Sequence, residues 1–209
     1  MPAAKKLNLS LVEEPFFKGR KHHWRAKALL NKEFREIFGA EIIAICFALI
    51  AGVLLAFFID EILLIPGLLI LLPGFLEMRS SITGALAARI STALDTKQIS
   101  PGAGSKNFVL QNLLATIILT LAVAIVLAAL AYFITLAFFG VSRPDLFLIA
   151  IIAAVLANLI ETILSVPLTF WLYKKGHDPN DIMGPYISAT GDIVGVFSLL
   201  VSILFVSLL

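Results

Sequence analysis

Long apolar runs separated by short charged gaps constrain this 209-residue chain more than any other feature it has. Lipid offers the backbone no hydrogen-bonding partner, so a run long enough to cross a bilayer must satisfy its N–H and C=O groups within itself, as a helix. The alternating ten-residue pattern of a transmembrane barrel is absent from the sequence. With 60% hydrophobic and only 14% charged residues, no stretch is left for a large soluble domain. An all-α membrane protein is therefore expected, with five transmembrane helices at about 39–59, 62–94, 107–139, 145–173 and 182–209.

The second span is unusual. It begins apolar, is punctuated by Pro66, Gly67, Pro73 and Gly74, and then turns polar with Glu77, Arg79, Ser80, Ser81, Thr83 and Arg89. Lipid does not tolerate such a helix face, whereas protein or a water-filled cavity does. Ahead of the spans, residues 1–38 carry Lys5, Lys6, Lys18, Arg20, Lys21, Arg25, Lys27, Lys32 and Arg35. The part at 26–38 reads as an amphipathic helix with Leu29, Leu30, Phe34 and Phe38 on one side, an interfacial element rather than a nucleic-acid arm or a signal peptide. Two domains follow: a basic cytoplasmic segment at 1–38 and a membrane domain at 39–209.

Charge placement sets the expected orientation. Nine Lys/Arg precede the first span, and Lys97, Lys106, Lys174 and Lys175 lie in the second and fourth connections, against Arg143 alone on the other side. The positive-inside rule places the N-terminus in the cytoplasm and the C-terminus outside.

Three acids fall near mid-span: Glu77, Glu161 and Asp192. At 1.5 Å per residue they lie roughly 15–24 Å into a hydrocarbon core about 30 Å thick. A charged group there costs on the order of 3 kcal/mol or more unless it meets water, a cation or a partner. On the fourth span Asn158, Glu161, Thr162 and Ser165 share a face, as Pro185, Ser188, Asp192 and Gly195 do on the fifth and Asn112, Thr116 and Thr120 on the third. Oxygen-rich strips of this kind suit a hard divalent cation such as Mg²⁺ or Ca²⁺. Cys46 is the only cysteine, and the histidines (His22, His23, His177) lie outside the apolar runs, which argues against a soft-metal site. No nucleophile–base pair or catalytic metal triad stands at a workable spacing, so an enzyme is not expected.

Each of these residues also has a plainer reading. Glu77 is as well placed to pair with Arg79 or Arg89 as to meet an ion, and Glu161 can bond across the bundle. Membrane serines and threonines usually pack or bond back to their own helix. Asp192 has no basic neighbour in sequence, which makes it the strongest candidate for contact with an ion. Locked on an arginine away from any open path, it would serve packing alone. Gly191-x-x-x-Gly195 brackets it, and Gly84-x-x-x-Ala88 lies on the second span; both spacings mark close helix approach.

Two segments resemble the membrane domain of the MgtE family of magnesium transporters and its animal solute-carrier relatives. Residues 73–92 (PGFLEMRSSITGALAARIST) are similar to the family's second-helix motif, in which a proline precedes a basic residue, a Gly-Asn pair and an Ala-Ser-Arg-Leu-Ser-Thr-like ending. Residues 178–192 (DPNDIMGPYISATGD) resemble its Asp-Pro signature, with a later proline and an aspartate fourteen residues on. The resemblance implies a homodimer with one cation pathway on its two-fold axis, lined by the second and fifth helices. It also implies that Asp192 holds a hydrated Mg²⁺ with oxygens from Ser188 or its neighbours one turn earlier. The family's Gly-Asn is Ser80-Ser81 here, and its soluble sensor domains have no counterpart in this sequence, so regulation is expected to differ.

The expectation from the sequence is thus a multi-pass cell-membrane transporter or channel for Mg²⁺ or a similar divalent cation. The metal site would comprise Asp192, Ser188, Glu161 and Glu77, with Ser80, Ser81, Thr83, Asn158, Gly191, Gly195 and Asn112 lining the pore. The partners are a second copy, membrane lipid and the ion, with no nucleic acid. No internal repeat is visible across the five spans, so a single half would pair with its copy. The rivals are a proton- or sodium-coupled antiporter using Glu161 and Glu77 as relays, and a non-transporting scaffold whose acids pair with arginines.

Overall fold

A computed structural model describes residues 20–101 and 105–208, with side chains from residue 34 onward. The start of the basic segment and the expected apolar positions Leu29 and Leu30 lie outside the described residues and side chains. The chain divides into two compact units, Met1–Arg35 and Glu36–Leu209. In the first, the described backbone is helical. The second holds the core.

The elements run α1 (Arg20–Phe57), α2 (Ile59–Leu63), α3 (Leu68–Asp95), α4 (Lys106–Phe139), α5 (Asp145–Lys174) and α6 (Pro179–Ser207). There is no strand among the described residues. Among the described residues five helices are long and apolar enough to cross a membrane, at Phe34–Phe57, Leu68–Asp95, Lys106–Phe139, Asp145–Lys174 and Pro179–Ser207. The second starts later than the expected residue 62. Pro66 disfavours helical geometry at the residue before it, and Gly67 adopts φ +99, a conformation that L side chains avoid. Ile59–Leu63 becomes a separate short helix as a result.

Packing relies on small residues, as it does where lipid offers no hydrophobic driving force between helices. On α4, Thr116, Thr120, Ala124, Ala128, Ala131 and Thr135 are buried and form one seam, while Ile118, Val126 and Phe133 face outward. On α5, Ala150, Ala153, Ala154 and Ala157 are buried in the same core cluster as the alanines of α4, together with Leu71 and Phe75 of α3 and Leu199 of α6. A second cluster gathers Leu86, Ile90 and Leu94 of α3 with Phe170 and Tyr173 of α5.

The membrane part of α1 stays largely exposed, with Ala44 and Ala51 its buried residues. Its Glu36 meets His177 in the α5–α6 connection at 3.2 Å. At the start of α6, Asp178 caps the helix by accepting from the Asn180 N–H at 2.8 Å, and Pro179 takes the first turn. The Asp-Pro pair therefore starts a helix here.

Candidate functional site

Near the middle of three spans, one arginine gathers two carboxylates. Arg79 on α3 is 3% exposed. Its Nη1 donates to Oε1 of Glu161 on α5, and its Nη2 donates to Oδ1 of Asp192 on α6 at 2.9 Å. The other oxygen of Glu161 accepts from Thr83 at 2.7 Å. Both Glu161 oxygens are thus engaged in the core. Asp192 differs: its side chain is 31% exposed and forms part of a pocket wall.

That pocket, of about 370 Å³, lies among α1, α3 and α6. Asp192, Ser188 and Pro185 come from α6, Ser80 from α3, and Glu41 from α1. Serines 80 and 188 supply hydroxyls and Glu41 a second carboxylate, a lining of hard oxygen donors. Asp192 does meet an arginine, but on the wall of an open pocket rather than away from one.

The glycines that bracket Asp192 make room for Arg79. A Cβ at Gly191 would overlap the Arg79 guanidinium and lie 2.7 Å from Oε1 of Glu161. One at Gly195 would lie 2.9 Å from Arg79 Nε and 2.6 Å from Leu76 Cδ2. Both glycines are buried behind the carboxylate. The guanidinium thus passes along a slot in the α6 surface that has no side chains of its own.

The remaining candidates scatter. Glu77 is exposed on α3 and accepts from Ser81 at 3.0 Å; Arg79, one of the two expected partners of Glu77, turns inward to the other acids. Asn112 donates to its own helix at Phe108 O, and Thr116 bonds back to Asn112 O. Asn158 crosses to Thr120 of α4, beside a cavity of about 10 Å³ shared with Arg79 and Thr83. The expected face of α5 therefore divides, with Asn158 turned to α4 and Glu161 to α3. Ser81 and Glu77 lie on the open side of α3 rather than with Asp192.

The sequence offers Arg79 as a partner for Glu77, its near neighbour, and, if the cluster is a scaffold, for the mid-span acids at large; its partners are Glu161 and Asp192, 82 and 113 positions away. Glu41 is the residue of the site that the sequence does not single out. Glu41 interrupts the first apolar run just after its start, and that lone acid was the available signal.

Fold and site define a multi-pass, all-helical membrane protein with ionisable groups gathered at mid-span, one of them opening on a polar pocket. Residues 72–202, more than half of the chain, match the family described as MgtE: Divalent cation transporter. The chain belongs to this family, whose members transport divalent cations. No curated protein and no solved structure matches it. The matched region includes all of α4 and α5 and most of α3 and α6, and with them Arg79, Glu161 and Asp192.

Proposed function

We propose that this chain is a Mg²⁺ transporter or channel of the cell membrane, acting as a homodimer, with Asp192 as the residue that meets the ion. One observation carries the reading: a carboxylate near mid-span lies on the wall of a pocket of about 370 Å³ beside the hydroxyls of Ser188 and Ser80. Mg²⁺ sheds its waters reluctantly, so one carboxylate with a few hydroxyl and carbonyl oxygens suffices for a partly hydrated ion. The ion in turn offsets the cost of holding that carboxylate charged within the bilayer.

Charge supports a shared site. Glu161 and Asp192 against Arg79 leave the mid-span cluster one formal negative charge, and Glu41 on the pocket wall adds a further acid. Two such clusters facing each other across a two-fold axis would carry enough negative charge to balance one divalent ion. The open side of α3 supports a second copy as well. It carries Glu77, Ser81 and Ala88 exposed, and nothing among the described residues lies within 4 Å of a Cβ at Gly84. Lipid does not accommodate such a face, whereas a second copy or a water path does. The thirteen-to-one placement of Lys and Arg supports a cytoplasmic N-terminus, with 1–38 as the interfacial segment and 39–209 as the conducting domain.

Asp192→Ala protein in liposomes is expected to lose most of its Mg²⁺ and Mn²⁺ flux; undiminished flux rejects the reading. The engagement of Arg79 with both acids favours a second one, a scaffold in which the cluster only joins helices. Mg²⁺ separates the two: a rise in melting temperature that Asp192→Asn abolishes belongs to a site, and its absence to a scaffold.

A further inference from the structure

We infer that Arg79 is a built-in competitor cation for Asp192, and that Glu161 is a positioning residue that sets how strongly it competes. This rests on the reading of Asp192 as the group that meets the ion.

The geometry is asymmetric. One amino group of the guanidinium is anchored on Glu161, a carboxylate 2% exposed whose second oxygen is held by Thr83. The other reaches a single oxygen of Asp192, on a side chain open to the pocket. Gly191 and Gly195 keep a slot beside Asp192 that a Cβ at either position would obstruct. Nε of Arg79 is buried with no hydrogen-bond partner among the described residues. A purely structural arginine in a low-dielectric core is expected to have its donors satisfied. This one leaves a donor unused, while Nη2 remains on the one of its two acid partners that faces open space.

An ion entering the pocket therefore meets a carboxylate already part-neutralised. A divalent ion gains about twice the Coulomb energy of a monovalent one at the same distance, so the guanidinium screens out weak competitors more than strong ones. Glu161 draws Arg79 back from Asp192. Without that charge the guanidinium has only Asp192 to pair with, and the site closes. Glu161 thereby acts on the ion through Arg79, without touching it.

Full-length protein is tested by the Mg²⁺ dependence of its melting temperature and by Mg²⁺ flux into liposomes, each with and without excess Na⁺. Glu161→Gln is expected to weaken apparent Mg²⁺ affinity about tenfold or more, and unchanged affinity overturns the inference. Adding Arg79→Gln to it removes the competitor, so affinity should recover and Na⁺ should now compete. A double variant as weak as the single one makes Glu161 a ligand and overturns the inference, as does recovery without competition by Na⁺. Should the double variant not fold, Arg79→Lys replaces it: a lysine held on Glu161 frees Asp192, raising Mg²⁺ affinity and lowering discrimination against Na⁺. Weaker Mg²⁺ binding in Arg79→Lys overturns the inference. Failure of the underlying reading has its own mark, Asp192→Asn protein that keeps wild-type Mg²⁺ affinity.

Discussion

At position 191 the α6 backbone has no room for a methyl group, because the guanidinium of Arg79 already fills the space where a Cβ would stand. The Gly-x-x-x-Gly spacing predicts close approach of another helix at this face. Spacing within one helix reports how much room is left and on which face, but not what enters, and the occupant is a side chain from α3 rather than a helix backbone. Overpacking a well-filled interior costs about 1–3 kcal/mol. Gly191→Ala is expected to lose stability in that range, and Gly195→Ala less, because part of its clash is with the end of Leu76, which can rotate away. Thermal unfolding in detergent measures both. Equal melting temperatures for wild type and Gly191→Ala would show that Arg79 has another place to go.

At the scale of elements, the turn between α2 and α3 decides where the site-bearing helix begins. Gly67 stands at φ +99, and a Cβ there would press on Leu146 of α5 and on Thr135 of α4. Gly67→Ala combines backbone strain with a clash and is expected to cost about 1–3 kcal/mol, read as a lower melting temperature with the helical circular dichroism retained. The helices themselves were legible in the sequence. All five candidate spans lie where the apolar runs lie, with ends shifted by a few residues, since capping and turn geometry act at single positions. The division of α5 was not legible. Asn158 and Glu161 share a buried helix face, yet they turn to different neighbours, and periodicity places a residue on a face without naming what faces it.

For the whole molecule, the open side of α3 is the place to test assembly. Because nothing among the described residues lies within 4 Å of a Cβ at Gly84, Gly84→Leu is directed away from the protomer's own core. If two copies meet there, the variant is expected to elute with half the protein mass of the wild type in light scattering while keeping its helical content. A mass unchanged by the substitution would move the interface to another face. Function follows the same division of scales. Family membership was readable from two short segments, 73–92 and 178–192, because their residues lie on helices whose local order carries the signature. Which acid stays buried and which opens on the pocket was not readable. The sequence by itself determined an all-helical chain with five bilayer-length apolar segments and acids near mid-span, because lipid forces the backbone to bond to itself and makes every charge conspicuous. Only the tertiary structure decided that Arg79 joins Glu161 and Asp192 while leaving Asp192 part-exposed. That choice depends on how three helices pack, and no rule of local spacing reaches across the 113 positions between Arg79 and Asp192.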